Sequence, residues 1–262
     1  MKLPSHWIRI GRWRIHARIA LDQVPRGTLP VVLVHGIGVS SSYLMPTAER
    51  LARWYPVLVP DLPGFGESDT PEESLSLHDL ADTLWAFVRQ MDFERAAFIG
   101  NSFGCQIITD LIVRHAEVVE RAVFLAPTID PAARTWKQQI GRLFLDAVRE
   151  PLSLFPLVVH DYSRCGFRRL RATFDEALGD VVESKLPNVA TPTLVVHGSR
   201  DPIVPRRWAR EAADLLPCGW LSQIRGAAHA ANWSHPREVA SIVREFLETP
   251  WAATPHRSTT AA

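Results

Sequence analysis

Hydrophobic and polar residues change rhythm several times along this chain. Ile8, Ile10, Trp13, Ile15, Ala17 and Ile19 nearly alternate with arginine and histidine, with a break at Gly11. A period of two with one polar face predicts two antiparallel strands that meet there. Five short apolar runs follow: VVLVH at 31–35, VLVP at 57–60, AAFIG at 96–100, AVFLAP at 122–127 and TLVVHG at 193–198. They have no polar face, which suits parallel strands covered on both sides. A further apparent strand, WLSQI, precedes the last helical pattern.

Between the runs the period lengthens. Leu77, Leu80, Ala81, Leu84, Val88 and Met91 recur at steps of three and four, behind a possible capping box of Ser76 and Asp79. Val239, Ile242, Val243, Phe246 and Leu247 do the same after Pro236. Strands alternating with helices predict an α/β fold, a mostly parallel, doubly wound sheet. One region departs from this rhythm. Residues 129–187 hold aromatic and aliphatic residues and many arginines but no good core strand, and Pro151 and Pro156 divide them into short helices. The expected organisation is a core of residues 1–128 and 188–250, a helical cap over 129–187, and a loose tail at 251–262. Ligands of such sheets sit beyond the carboxyl ends of the strands, and an insertion leaving from VFLAP is placed to roof that site.

Composition narrows the function classes. Of 262 residues, 47% are hydrophobic and 22% charged, and the formal net charge is +1. That balance gives no footprint for nucleic acid. No apolar run approaches a membrane span, and arginines interrupt the N-terminal stretch where a signal peptide would be apolar. Cys105, Cys165 and Cys218 stand far apart, which fits neither a disulfide framework nor a zinc site. A cytoplasmic protein acting on a small molecule is the expectation. The Gly-x-Gly pairs in HGIGVSS and PGFGESD lack the third glycine of a dinucleotide fingerprint.

The stretch Gly100-Asn101-Ser102-Phe103-Gly104 leaves a hydroxyl between a strand and a helix, CQIITDLIVRH. It fits G-x-S-x-G in the strand–turn–helix context that a nucleophile needs. The plain alternative is a tight turn whose serine caps the helix. A serine nucleophile needs a base and the base an orienter. His229, in the loop RGAAHAANW, is the candidate base; His235 begins the final helix and is expected to serve its cap, and His35 and His197 are expected to complete turns. Asp201, just past TLVVHGSR, is the candidate acid, with Asp61 as its rival in the turn-forming DLPG. The amides of Ile37, in VHGIG, and Phe103 could form an oxyanion hole. His35, Gly36, Gly38, Asn101, Arg168 and Trp233 are expected near the substrate. Arg164, Arg168 and Arg171 would share one face of a single helix and could attract anionic substrates to the pocket mouth. An ordinary histidine titrates near 6.5, so the rate should fall on the acid side at roughly pH 6–7.

Taken together, VHGIG, DLPGFGES, GNSFG, SRDPIVP and GAAHAANWSHP resemble the α/β-hydrolase superfamily, in particular its cap-bearing members, over nearly the whole chain. The resemblance implies the α/β-hydrolase fold, the triad Ser102, Asp201 and His229, and a mechanism with no cofactor and no metal. Within it, carboxylesterases, lactonases and thioesterases need only the triad and the oxyanion hole. Carbon–carbon bond hydrolases of ring-cleavage products share the GNS segment but usually carry tryptophan after the histidine, where this chain has Ala230. Dehalogenases and epoxide hydrolases use aspartate where Ser102 stands. A small-molecule receptor on the same scaffold is the non-catalytic alternative.

Overall fold

A computed structural model describes residues 3–250 apart from 22, 23 and 26. The expected tail at 251–262 lies outside the described residues. The chain runs β1 (Ser5–Ile10), β2 (Trp13–Ala20), β3 (Val31–Val34), α1 (Ser41–Leu51), β4 (Val57–Pro60), α2 (Leu77–Gln90), β5 (Ala96–Asn101), α3 (Phe103–His115) and β6 (Val119–Leu125). Then come α4 (Trp136–Ala147), α5 (Phe155–Cys165), α6 (Phe167–Gly179) and α7 (Val182–Lys185), followed by β7 (Thr193–Gly198), α8 (Arg206–Leu215), β8 (Gly219–Ile224), α9 (Ala231–Ser234) and α10 (Pro236–Glu248).

The strands form one eight-stranded sheet in the order β1-β2-β4-β3-β5-β6-β7-β8. The N-terminal hairpin is antiparallel, with Ile10 opposite Trp13 and Gly11 in the left-handed region at its tip. β2 pairs antiparallel with β4, and every other pairing is parallel. The missing polar face has a direct cause. Along β5, Ala96 and Phe98 join a core shared with α2, α3 and α8, whereas Ala97 and Ile99 join one shared with α1 and α10. Successive side chains point to opposite faces, and helices cover both. The predicted capping box is present: Asp79 N–H donates to Ser76 Oγ, and Ser76 N–H donates to Asp79 Oδ2.

Helices α4–α7 occupy the stretch between β6 and β7. Pro151 precedes a short 3₁₀ turn at Leu152–Leu154, but Pro156 sits in the first turn of α5, where its missing N–H costs nothing. The break that separates α5 from α6 is Gly166, at φ 77°. It divides the expected arginine face: Arg164 lies on α5, Arg168 and Arg171 on α6. The insertion is fastened by Asp130, fully buried just after β6. Arg207 of α8 donates to both its oxygens, at 2.6 and 2.5 Å, and Arg142 of α4 lies 2.8 Å away. Burial alone would raise the Asp130 carboxyl, but the two guanidiniums outweigh it and hold it low.

Candidate active site

Ser102 stands alone between β5 and α3 at φ 55°, ψ −121°. A non-glycine residue there is strained, and such strain persists only where its surroundings over-determine it. The flanking glycines show what does so. A Cβ on Gly100 would sit 2.6 Å from the Gly104 carbonyl carbon and 2.7 Å from Cys105 N. A Cβ on Gly104 would run into the carbonyls of Val34 and His35 at the end of β3. The turn can therefore close only with glycine at both places. Ser102 N–H donates to Leu125 O of β6 at 3.0 Å, and its carbonyl accepts from Cys105 N–H at 2.9 Å. Gly36 is a third close approach, since its Cβ would stand 3.3 Å from that of Ser102.

Asp201 follows β7, and its carboxylate is enclosed. Oδ1 accepts from the amides of Ile203 and Val204, at 2.8 and 2.9 Å, while Oδ2 takes the His229 Nδ1–H at 2.9 Å. The two amides fix the carboxylate plane, so the ring that it holds is fixed as well. Burial opposes a proton on His229. The charge and hydrogen bond of Asp201, joined by Asp146 and Glu150, outweigh burial and push the ring up to about 9. The ordinary titration expected from a loop histidine is thus displaced upward. Asp61 is not the partner. It pairs with His16 Nδ1 at 2.8 Å and accepts from the amides of Ser41 and Glu67, so it organises the turn that DLPG suggested.

Ser102 and His229 open into one cavity of about 450 Å³ beneath α4–α6. Its roof is apolar, with Ile140, Leu143 and Phe144 from α4, Phe155 from α5 and Phe167 and Phe174 from α6. Phe144 and Phe167 are also largely exposed, at 73% and 80%, so the apolar wall continues out to the mouth. Two carboxylates interrupt it: Asp146 and Glu150 reach from the end of α4 to the loop of His229. Burial raises both, Glu150 to about 7.

Of the other expected residues, Gly36, Ile37 and Asn101 line the cavity, and Asn101 Nδ2 lies 3.4 Å from His229 O. The Phe103 ring is buried in the core, while its amide opens α3, where no intrahelical carbonyl serves it. The remaining four do not line the cavity. His35 donates from Nδ1 to Gly36 O and accepts from Leu62 N–H, a turn role. Gly38 makes room for the insertion instead, because its Cβ would stand 2.7 Å from Leu170 and 2.8 Å from Tyr162. Trp233 donates to Ser153 Oγ at 3.2 Å. Arg168 is exposed, and the arginine on the cavity wall is Arg171. His235 holds the N-cap position of α10, but its ring pairs with Ser234 Oγ rather than capping the helix. Sequence reasoning missed Asp146 and Glu150. Two acidic residues four apart, after the apolar run Leu143-Phe144-Leu145 and with only Arg149 as a further charge before Pro151, were the available signal.

Among the described residues, no helix is long and apolar enough to cross a membrane. The sequence profile of the Alpha/beta hydrolase family matches residues 31–242. A 2-hydroxymuconate semialdehyde hydrolase of Pseudomonas sp. (strain CF600) is 26% identical over 285 aligned positions, spanning 97% of this chain and 99% of that one. Among solved structures, a membrane phospholipase A described as a bacterial virulence factor superposes with a TM-score of 0.79 at 23% identity, over 94% of this chain and 86% of its own. A serine hydrolase involved in carbazole degradation does so with 0.76 at 23%, over 94% and 98%. At these identities the superpositions speak for the fold.

Proposed function

Because the chain belongs to the alpha/beta hydrolase family, we propose that it is a serine hydrolase cleaving a small, largely apolar ester, lactone or thioester through an acyl-enzyme on Ser102. One observation carries the reading. A serine held at positive φ between β5 and α3 faces a cavity whose wall holds a histidine fixed by a buried aspartate. In this reading residues 1–128 and 188–250 are the catalytic core and 129–187 the cap. The three free thiols suit a reducing, cytoplasmic setting.

Neutral His229 takes the Ser102 proton at Nε2 as Oγ bonds to the substrate carbonyl carbon. Asp201 keeps the other ring proton on Nδ1 and stabilises the imidazolium. The amides of Ile37 and Phe103 receive the oxyanion. The tetrahedral species collapses, and the leaving alcohol or thiol departs with the proton from His229. A water then loses a proton to His229 and attacks the acyl carbon. Ser102 leaves with that proton and the acid is released. The apolar roof binds the acyl or alkyl part.

A second reading, hydrolysis of a carbon–carbon bond in a ring-cleavage product, draws on Asn101 beside Ser102 in the cavity lining and on the named relative. A panel of p-nitrophenyl esters, lactones and a dienone-type ring-cleavage substrate separates the two. Turnover of esters, a fluorophosphonate adduct on Ser102 and a loss of about 10⁶ in kcat in Ser102→Ala are expected. Turnover of the dienone alone selects carbon–carbon cleavage. No adduct and no turnover would make the protein a binder.

A further inference from the structure

The loop that carries His229 hangs from the helical insertion. Asp146, in the last turn of α4, accepts from His229 N–H at Oδ1, 3.1 Å away. Glu150 accepts from Ala230 N–H at Oε1, 2.6 Å away, and its buried Oε2 has no hydrogen-bond partner. On the core side Ala227 O accepts from Arg200 N–H, Gly226 N–H donates to Ser199 Oγ, and Asn101 Nδ2 donates to His229 O across a long 3.4 Å. The two backbone N–H groups at the imidazole, those of His229 and Ala230, are both taken by carboxylates of a segment 83 and 80 residues away in sequence. Both carboxylates also line the cavity that Ser102 faces.

We infer that Asp146 and Glu150 are positioning residues for the His229 base, fixing its loop and setting the charge around its ring from the insertion. The inference rests on the serine-hydrolase reading. A third carboxylate repeats the pattern at the other loop: Asp161 of α5 accepts from Ser40 N–H, beside VHGIG, at 2.8 Å. The insertion therefore grips both loops on which the proposed chemistry depends. Around His229 the charges are Asp201 from the loop after β7 and Asp146 and Glu150 from the insertion. Arg149 acts on Asp146, and His197 stands near Asp201 with Arg206 acting on His197. Tyr43 of α1 faces Glu150 and Asp146, and Tyr162 of α5 faces Asp146, with phenols that burial keeps neutral. Negative charge dominates, so it favours the proton on the ring.

Asparagine at 146 keeps an acceptor for His229 N–H but loses the charge, whereas alanine loses both. Asp146→Asn and Asp146→Ala should each lower the apparent pKa on the acid side of kcat/KM by at least about half a unit. Only the alanine variant should lose kcat, about tenfold, with KM little changed. NMR titration of the His229 ring in Ser102→Ala, Ser102→Ala/Asp146→Asn and Ser102→Ala/Glu150→Gln reads the same shift without any turnover. If no ester is hydrolysed yet the ring titration still shifts, the hydrolase reading fails and the charge coupling stands. Unchanged ring titration in both carboxamide variants overturns the inference. So does an Asp146→Asn variant that loses as much kcat as Asp146→Ala. Should the alanine variant fail to fold, the carboxamide titrations decide alone.

Discussion

Glu150→Gln is expected to gain stability over the parent protein as the pH rises from mild acid to neutral. Burial is the main cause that lifts the Glu150 carboxyl from 4.5 to about 7. Asp146 and Asp201 add to it, against the Ala230 amide and His229. The folded chain therefore holds this proton more tightly than the unfolded chain does. The contribution is fully present below the unfolded value near 4.5 and is lost as pH rises through about 7. The shift, about 7 less 4.5, is about 2.5 units, and at about 1.36 kcal/mol per unit its ceiling is about 3.4 kcal/mol. Glu150 is partly open to the cavity, so about 1–2 kcal/mol is the expected size. Glutamine does not titrate. Its amide puts a donor where Oε2 has no partner, a cost independent of pH. His229 titrates higher, toward 9, and gives both proteins a similar slope over this range. Urea unfolding followed by tryptophan fluorescence, at about pH 5 and about pH 7.5, measures the difference. The stability of the variant minus that of the parent should rise by about 1–2 kcal/mol between the two. A constant difference, or one that moves in the parent's favour, would refute the claim that Glu150 is held protonated by burial.

Gly104→Ala should abolish ester turnover and cost about 1–3 kcal/mol, because its methyl group meets the β3 carbonyls and the turn must shift; thermal melts and the ester assay check both. Asp130→Asn should destabilise by about 2–3 kcal/mol, below the usual cost of breaking a buried pair because Arg207 is half exposed. That aspartate is held low, so its stabilisation is present above its unfolded value and is lost as pH falls through the folded one. Acid unfolding of the parent and the variant should therefore converge. The wild-type rate should climb with pH beyond 7, since His229 must lose its proton to act as a base and its ring is pushed up to about 9; a plateau already complete at pH 7 would contradict that.

What the sequence made legible was local. Strand runs, the capping box and the glycine-flanked pattern around Ser102 are written in near neighbours, although the reason for Gly104 lies on β3, and all eight strands and the order of the candidate triad could be read from such patterns. Asp146, Glu150 and Asp161 were not legible as partners of these loops, because the N–H groups they accept from lie far away in sequence and nothing in an acidic residue names its donor. The arginine face is the instructive case. Spacing of four and three predicts one face only if one helix spans 164–171, and Gly166 breaks it at φ 77°. After the break, Arg164 pairs with Glu67 at 3.0 Å, Arg168 is exposed and does not line the cavity, and Arg171 is the arginine of the three on its wall. Steering of anions from the cavity wall therefore belongs to Arg171. Its side chain is 66% exposed and its pairing with Asp175 is loose, at 3.7 Å, so screening keeps its influence small. Asp146 and Glu150, deeper in the same cavity, oppose an anion. Arg171→Glu should raise KM for a carboxylate-bearing ester by about two- to fivefold, leave kcat and a neutral ester of similar size nearly unchanged, and lose its effect in high salt. Arg168→Glu should change neither substrate's KM. Equal effects of the two reversals would mean that charge acts from the whole surface of α6, and the assignment to the cavity wall would fall.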